Sequence, residues 1–292
     1  MTIQFDFIAA YQFLALLDGK KSSNEVFNHP AYQAVLAHAH KFGVGFNSED
    51  LNKTLMGTPS PFYGLNHLAE HRPRLMKLLA FLDHHQLEWS AIIEQELRWI
   101  SPGADLNITI YPIIGYDMGI GIDGVVCMNL NVETYLENPM ELLFYAVHEC
   151  VHVLYERNHF IPALKDVNSP KQWCSYFNLW TQNEGFAVYG ALRLRERLGA
   201  LQERDYQVLS DPSQLEIHRK TFLENYHRLI QEKTLCKEDY LEICFGDMRL
   251  TYRIGCELLR RVENKFGRVA IHKALLMDPD QFMAKYIDLL KE

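Results

Sequence analysis

The sequence predicts an α+β fold in which helix dominates. Three observations lead there. Apolar residues recur at helical spacing through the first hundred or so positions. The period then switches to two over a short central stretch, and helical spacing returns and persists to the end. With 292 residues, 48% of them hydrophobic and 23% charged, the chain has the composition of a soluble globular protein and the length to bury a sizeable core. A formal charge of -8, with no basic run, argues against nucleic acid or an anionic membrane as the main partner.

In chain order, Phe5 to Leu17, Pro30 to Phe42, Ser48 to Met56 and Arg72 to Ile100 carry the helical spacing, separated by Gly and Pro. Met1 to Asp18 lacks a basic n-region and contains Asp6 and Gln12, so it reads as an amphipathic helix rather than a leader. No apolar run reaches membrane-spanning length. Ser101-Pro102-Gly103-Ala104-Asp105 is a break, dividing a helical N-terminal segment, 1–104, from a second domain, 105–292. Leu106 to Tyr111 alternates as a half-buried strand does. Gly115 to Gly124 reads as a Gly-rich turn and Val125 to Leu130 as a second strand. Asn138-Pro139 then caps and opens a helix that runs to Asn158 through Leu142, Leu143, Val147, Val151 and Leu154. A loop over 158–176, containing Pro162 and Pro170, leads to a helix from Asn178 to Leu198. From Ser213 onward the chain reads as roughly four helices with short connections. The cysteines, Cys127, Cys150, Cys174, Cys236, Cys244 and Cys256, include no C-x-x-C pair, so reduced thiols and a cytoplasmic location are expected.

The chemistry concentrates in the helix after Asn138. His148-Glu149-Cys150-Val151-His152 is an H-E-x-x-H motif. Four residues apart on a helix, the imidazoles of His148 and His152 project from one face and can share one Zn2+. Glu149, one residue round, can reach a water on that ion without being a ligand. Such a centre needs a third protein ligand. A third histidine in H-E-x-x-H-x-x-G-x-x-H is excluded, because Tyr155 and Asn158 stand at those positions; His159 is then expected to be a surface loop histidine. Glu184, flanked by Gly185 and Ala187, is the candidate, since small neighbours would let its helix approach the histidine-bearing one closely. Gly inside a helix costs roughly 1 kcal/mol against Ala, so Gly185 has a packing or functional reason. Cys150 is expected on the opposite, core side. His38 with His40, and His84 with His85, read as solvated helix faces rather than a second metal site.

Asn183-Glu184-Gly185-Phe186-Ala187, following Trp180, resembles the third-ligand motif of the aminopeptidase N family of gluzincins. Tyr252-Arg253-Ile254-Gly255 resembles that family's Y-x-x-G helix, and the order and rough separation of the motifs match as well. The resemblance implies a zincin-like (thermolysin-like) catalytic domain with a small sheet. It implies zinc held by His148, His152 and Glu184, Glu149 as general base, and Tyr252 hydrogen-bonding the developing oxyanion. His227 is the alternative donor, since some gluzincins use His in that role. A peptide or small protein substrate is implied too, paired with the edge strand just before the zinc helix, which would be the 125–130 strand.

The chain departs from the family pattern in three places. The gap from His152 to Glu184 is longer, a helical segment stands where the family has an N-terminal β-domain, and no G-x-M-E-N exopeptidase signature precedes the zinc helix. In Ile122 to Asn129 no Glu follows Met128, and Asp123, the only nearby acid for a free amine, belongs to an Asp-Gly turn signal. A minimal, stand-alone gluzincin metallopeptidase is therefore expected, with endo- and aminopeptidase action both open. The competing readings are a catalytically weak zinc-binding regulatory protein of the same fold and a non-peptide amide or epoxide hydrolase. Asn183 and Glu141 are candidates to orient the ligating histidines.

Overall fold

In the computed structural model, which describes residues 1–45, 47–55, 65, 68–231 and 237–292, the chain opens with a strand where helix is expected. Strand β1 (Thr2–Phe5) pairs in parallel with β2 (Asn107–Ile113), Thr2 opposite Asn107 and Phe5 opposite Ile110. Ile3 points into the core, but the hydrogen bonds that make this segment a strand come from far along the chain. Local periodicity carries no trace of such a partner. The helical reading of Phe5 to Leu17 holds only from Ile8, where α1 (Ile8–Leu17) begins.

Contacts sort the chain into two units, the first comprising Met1–Gln95, Ala104–Val153 and Ala163–Lys165. It holds a four-stranded sheet in the order β1-β2-β4-β3, where β3 is Gly119–Ile122 and β4 is Val125–Asn129. Strand β4 runs parallel to β2, and β3 antiparallel to β4. Asp123 and Gly124 join β3 to β4 with φ of 49° and 81°, the left-handed pair of a two-residue hairpin turn. The stretch read as a Gly-rich turn thus contains a strand. Its isoleucines, Ile120 and Ile122, are buried, while its glycines occupy the alternate positions.

Around the sheet lie α2 (Ser23–Phe27), α3 (Pro30–Lys41), α4 (Ser48–Leu55), α5 (Leu68–Ile100, in this unit as far as Gln95), α6 (Glu133–Glu137) and α7 (Met140–Glu156, as far as Val153). Ser22 and Glu25 form a capping box at the start of α2. Pro30 stands in the first turn of α3, which packs on β3 and β4, and Tyr32 donates its hydroxyl to the Ile114 carbonyl at 2.9 Å. Met56, the expected end of the fourth helix, lies outside the described residues.

The second unit comprises Glu96–Gly103, Leu154–Pro162 and Asp166–Glu292. Its axis is α8 (Pro170–Leu198), buried over most of its length from Trp173 to Arg195. This helix begins well before the expected Asn178. Ser169 accepts from the Gln172 amide, Gln172 reaches back to the Ser169 amide, and Pro170 occupies the first turn. The expected long loop over 158–176 accordingly ends at Ser169. Beyond Gly199, which closes α8 with φ of 68°, follow α9 (Arg204–Ser210), α10 (Pro212–Gln231), α11 (Lys237–Phe245), α12 (Leu250–Phe266), α13 (Arg268–Leu275) and α14 (Pro279–Tyr286).

Helix α12 crosses α8 at Gly185 and Gly255. A Cβ on Gly185 would lie 2.6 Å from the Gly255 carbonyl carbon, and one on Gly255 would lie 2.1 Å from the Thr181 oxygen. Gly185 therefore has the packing reason its helical cost demands. The helix that approaches at Gly185 is α12. The molecule is α+β and mostly helical, and none of its described helices is long and apolar enough to cross a membrane.

Candidate metal centre

Helix α7 starts as its sequence requires, with Asn138 Oδ1 accepting from the Met140 amide at 3.3 Å. Leu142, Leu143, Val147, Cys150 and Val151 are buried, and this apolar stripe fixes which face carries His148 and His152. The Nε2 atoms of the two histidines face each other 3.1 Å apart, with the rings at 79°. Two imidazoles on one tetrahedral zinc, each bonded at about 2.05 Å, would stand roughly 3.3 Å apart. Two nitrogen lone pairs brought this close require a proton or a cation between them. Zinc fits this pair. The Glu149 carboxylate completes a group whose ligand atoms all lie within 4.8 Å of one another. All three side chains are buried, as is Glu141 in the first turn of the same helix.

Strand β3 makes room for this group. A Cβ on Gly119 would meet Glu149 Cγ at 3.0 Å and Oε1 at 3.1 Å. One on Gly121 would lie 2.2 Å from the Glu149 carbonyl oxygen and 3.2 Å from His152 Cβ. The backbone of α7 thus rests directly on the glycine face of β3, a close approach that only glycine permits. Reading these glycines as a turn missed their role. The alternation Gly-Ile-Gly-Ile, small on one face and apolar on the other, was the signal. The expected substrate strand needs the same correction: β4 is paired on both sides, by β2 and β3, so the strand at that edge of the sheet is β3.

In the second unit Glu184 is buried on α8 and Tyr252 half-buried on α12, and the Tyr252 hydroxyl hydrogen-bonds the Glu184 carboxylate. The glycine crossing makes this pairing, since Gly185 follows Glu184 directly and Gly255 lies one turn after Tyr252. Burial first, and then the charge of Glu184, push the phenol's pKa well up, while the Arg249 guanidinium opposes the rise. That guanidinium lies 3.6 Å over the Tyr252 ring, and Phe245 meets the ring edge-on at 6.4 Å. Arg249 and Arg253 both donate through Nε to Asp205, each at 2.8 Å, on its two separate oxygens.

The remaining candidates sort by environment. His148, Glu149 and His152 come together in the first unit, Glu184 and Tyr252 in the second. His227 is exposed on α10, and Asn183 is buried beside Glu184. His159 lies in the loop after α7, as expected, but is half-buried there, stacked on Tyr155 at 4.3 Å, with Nε2 2.6 Å from the Leu275 carbonyl oxygen. Burial lowers its pKa. His38 bonds the Tyr116 hydroxyl at 3.0 Å and His85 meets Glu88 at 3.1 Å. Among the described residues no second His, Cys, Asp and Glu group is arranged to hold an ion. The five described cysteines are free thiols, Cys150 in the core as expected, and Cys236 lies outside the described residues.

No curated protein and no solved structure matches the chain. A family model, described as "Putative zinc dependent peptidase (DUF5700)", matches residues 23–292. Zinc is the cofactor indicated both by that family and by the donor set at His148, Glu149 and His152, and the substrates of a peptidase are peptides. Since the match spans nearly the whole sequence, the chain belongs to this family of zinc-dependent peptidases.

Proposed function

We propose that the chain is a metallopeptidase of gluzincin type, with a thermolysin-like catalytic domain over 105–292 and an N-terminal segment, 1–104, that is helical apart from β1 and lends that strand to the sheet. His148, His152 and Glu184 hold the zinc, Glu149 is the general base, and Tyr252 is the oxyanion donor. One observation carries this reading: the Nε2 atoms of His148 and His152 converge at 3.1 Å with the Glu149 carboxylate beside them. The hydrogen-bonded Glu184 and Tyr252 support it, since both stand in the motif order of the gluzincins.

Bound zinc supplies a Lewis acid and a water acidified toward a pKa of about 7. Glu149 accepts a proton at its carboxylate and hands it to the leaving amine. The Tyr252 hydroxyl donates to the scissile oxygen as negative charge gathers there, which is worth on the order of 3 kcal/mol. Strand β3 lies over Glu149 and at the edge of the sheet, so an extended peptide added to it would pass the base with its main chain held. The absence of side chains at Gly119 and Gly121 lets Glu149 lie that close to the edge strand.

Protein purified without chelator is expected to carry about one zinc per chain and to cleave members of a mixed peptide library. His148→Ala and Glu184→Ala are each expected to lose the metal on dialysis. Full zinc retention by Glu184→Ala would remove Glu184 from the ligand set. A zinc-loaded protein that cleaves no peptide would overturn the peptidase reading.

A further inference from the structure

We infer that Arg249 is a carboxylate-binding residue that receives an anionic group of the peptide substrate, its free C-terminal carboxylate, beside Tyr252. This rests on the peptidase reading above. Two arginines share Asp205, and their contrast carries the inference. Arg253, with a side chain 6% exposed, spends its donors inside the protein: Nε on Asp205, and Nη1 on His218 at 2.7 Å and on the Met248 carbonyl at 2.9 Å. Arg249 is 21% exposed and uses Nε alone, again on Asp205. Among the described residues neither of its Nη atoms has a hydrogen-bond partner.

Asp205 is shared by two guanidinium groups, and the carboxylates of Glu184 and Glu203 also lie within electrostatic reach of Arg249. The Arg249 guanidinium is held in place. Its plane lies 3.6 Å over the Tyr252 ring, its Nε is fixed by Asp205, and its backbone stands at φ 45°, in the left-handed region unusual for a side chain of this size. A fixed guanidinium with an open outer fork matches the two oxygens of a carboxylate. Holding the Tyr252 ring would need only the plane and Nε, and a lysine could supply the charge. The open fork is the feature that neither role uses.

The test is binding by the full chain, zinc-loaded and carrying Glu149→Gln to stop turnover. The probes are an N-acetylated tetrapeptide with a free C-terminus, its C-terminal amide, and the same amide with one residue replaced by Glu. The free acid is expected to bind roughly ten- to hundredfold tighter than the plain amide. That preference is expected to vanish when Arg249→Gln is added and to fall sharply with Arg249→Lys, which keeps the charge and loses the fork. Tyr252→Phe should preserve it. Asp205 keeps Arg253 as its partner in both arginine variants, and circular dichroism checks their fold.

A Glu-containing amide that binds as tightly as the free acid, and loses this with Arg249→Gln, would support carboxylate binding with a side chain as the source. Equal binding of acid and plain amide, with no gain from Glu, would overturn the inference, as would a preference that survives Arg249→Gln. Wild-type protein that cleaves acids and amides alike keeps the peptidase reading and sinks this one. A carboxylate preference without any wild-type cleavage does the reverse.

Discussion

The Tyr252 phenol is held from three directions: Glu184 takes its hydroxyl, Arg249 covers its ring face, and Phe245 meets its edge. These contacts fix the ring, and in the proposed role the hydroxyl turns from Glu184 to the oxyanion as charge develops. Tyr252→Phe keeps the ring contacts and removes only the hydroxyl. It is expected to lower kcat about a hundredfold while KM and zinc content stay near wild type. Steady-state kinetics with a cleaved peptide would show this, and an unchanged kcat would take the role away from Tyr252. His227, exposed on α10, would then be the next residue to replace.

At the scale of elements, the crossing of α8 and α12 matters most. Gly255→Ala would place a Cβ 2.1 Å from the Thr181 carbonyl oxygen, a backbone atom that cannot step aside. The helices must separate, at a cost of about 1–3 kcal/mol, and Glu184 and Tyr252 would part with them. Urea unfolding should report the lost stability and metal analysis weaker zinc retention; wild-type values in both would mean that the crossing is not what sets the pair.

The same crossing explains what was legible in the sequence. His148, Glu149 and His152 lie on one helix with an Asn-Pro start, so local spacing suffices to bring them together. Gly185 signalled a close approach, but which helix it admits is a tertiary fact, and α12 supplies Gly255 from far along the chain. Ser169-Pro170-Lys171-Gln172 was a readable capping box, obscured because its proline also suits a loop. Strand β1 depends on a distant partner, and the glycines of β3 serve the backbone of α7 rather than a turn.

For the molecule as a whole, His29 in the first unit and His159 in the second both have pKa values lowered by burial. Each therefore binds its proton less readily in the folded chain than in the unfolded one. As pH falls below about 6.5, where an unfolded histidine titrates, the unfolded state gains protons first and stability drops. Above that value the contribution is fully present. Unfolding midpoints measured from pH 7.5 downward should fall, and His159→Gln should flatten the slope; an unaltered slope would place the acid sensitivity elsewhere.

The most direct measurement on the centre itself is zinc content and peptide cleavage by Glu149→Gln. This near-isosteric change leaves His148 and His152 in place and removes the carboxylate that lies against Gly119. The variant is expected to keep about one zinc per chain and to lose two to four orders of magnitude, roughly, in cleavage rate. Zinc-loaded Glu149→Gln that cleaves like the wild type would contradict the role of Glu149 as general base.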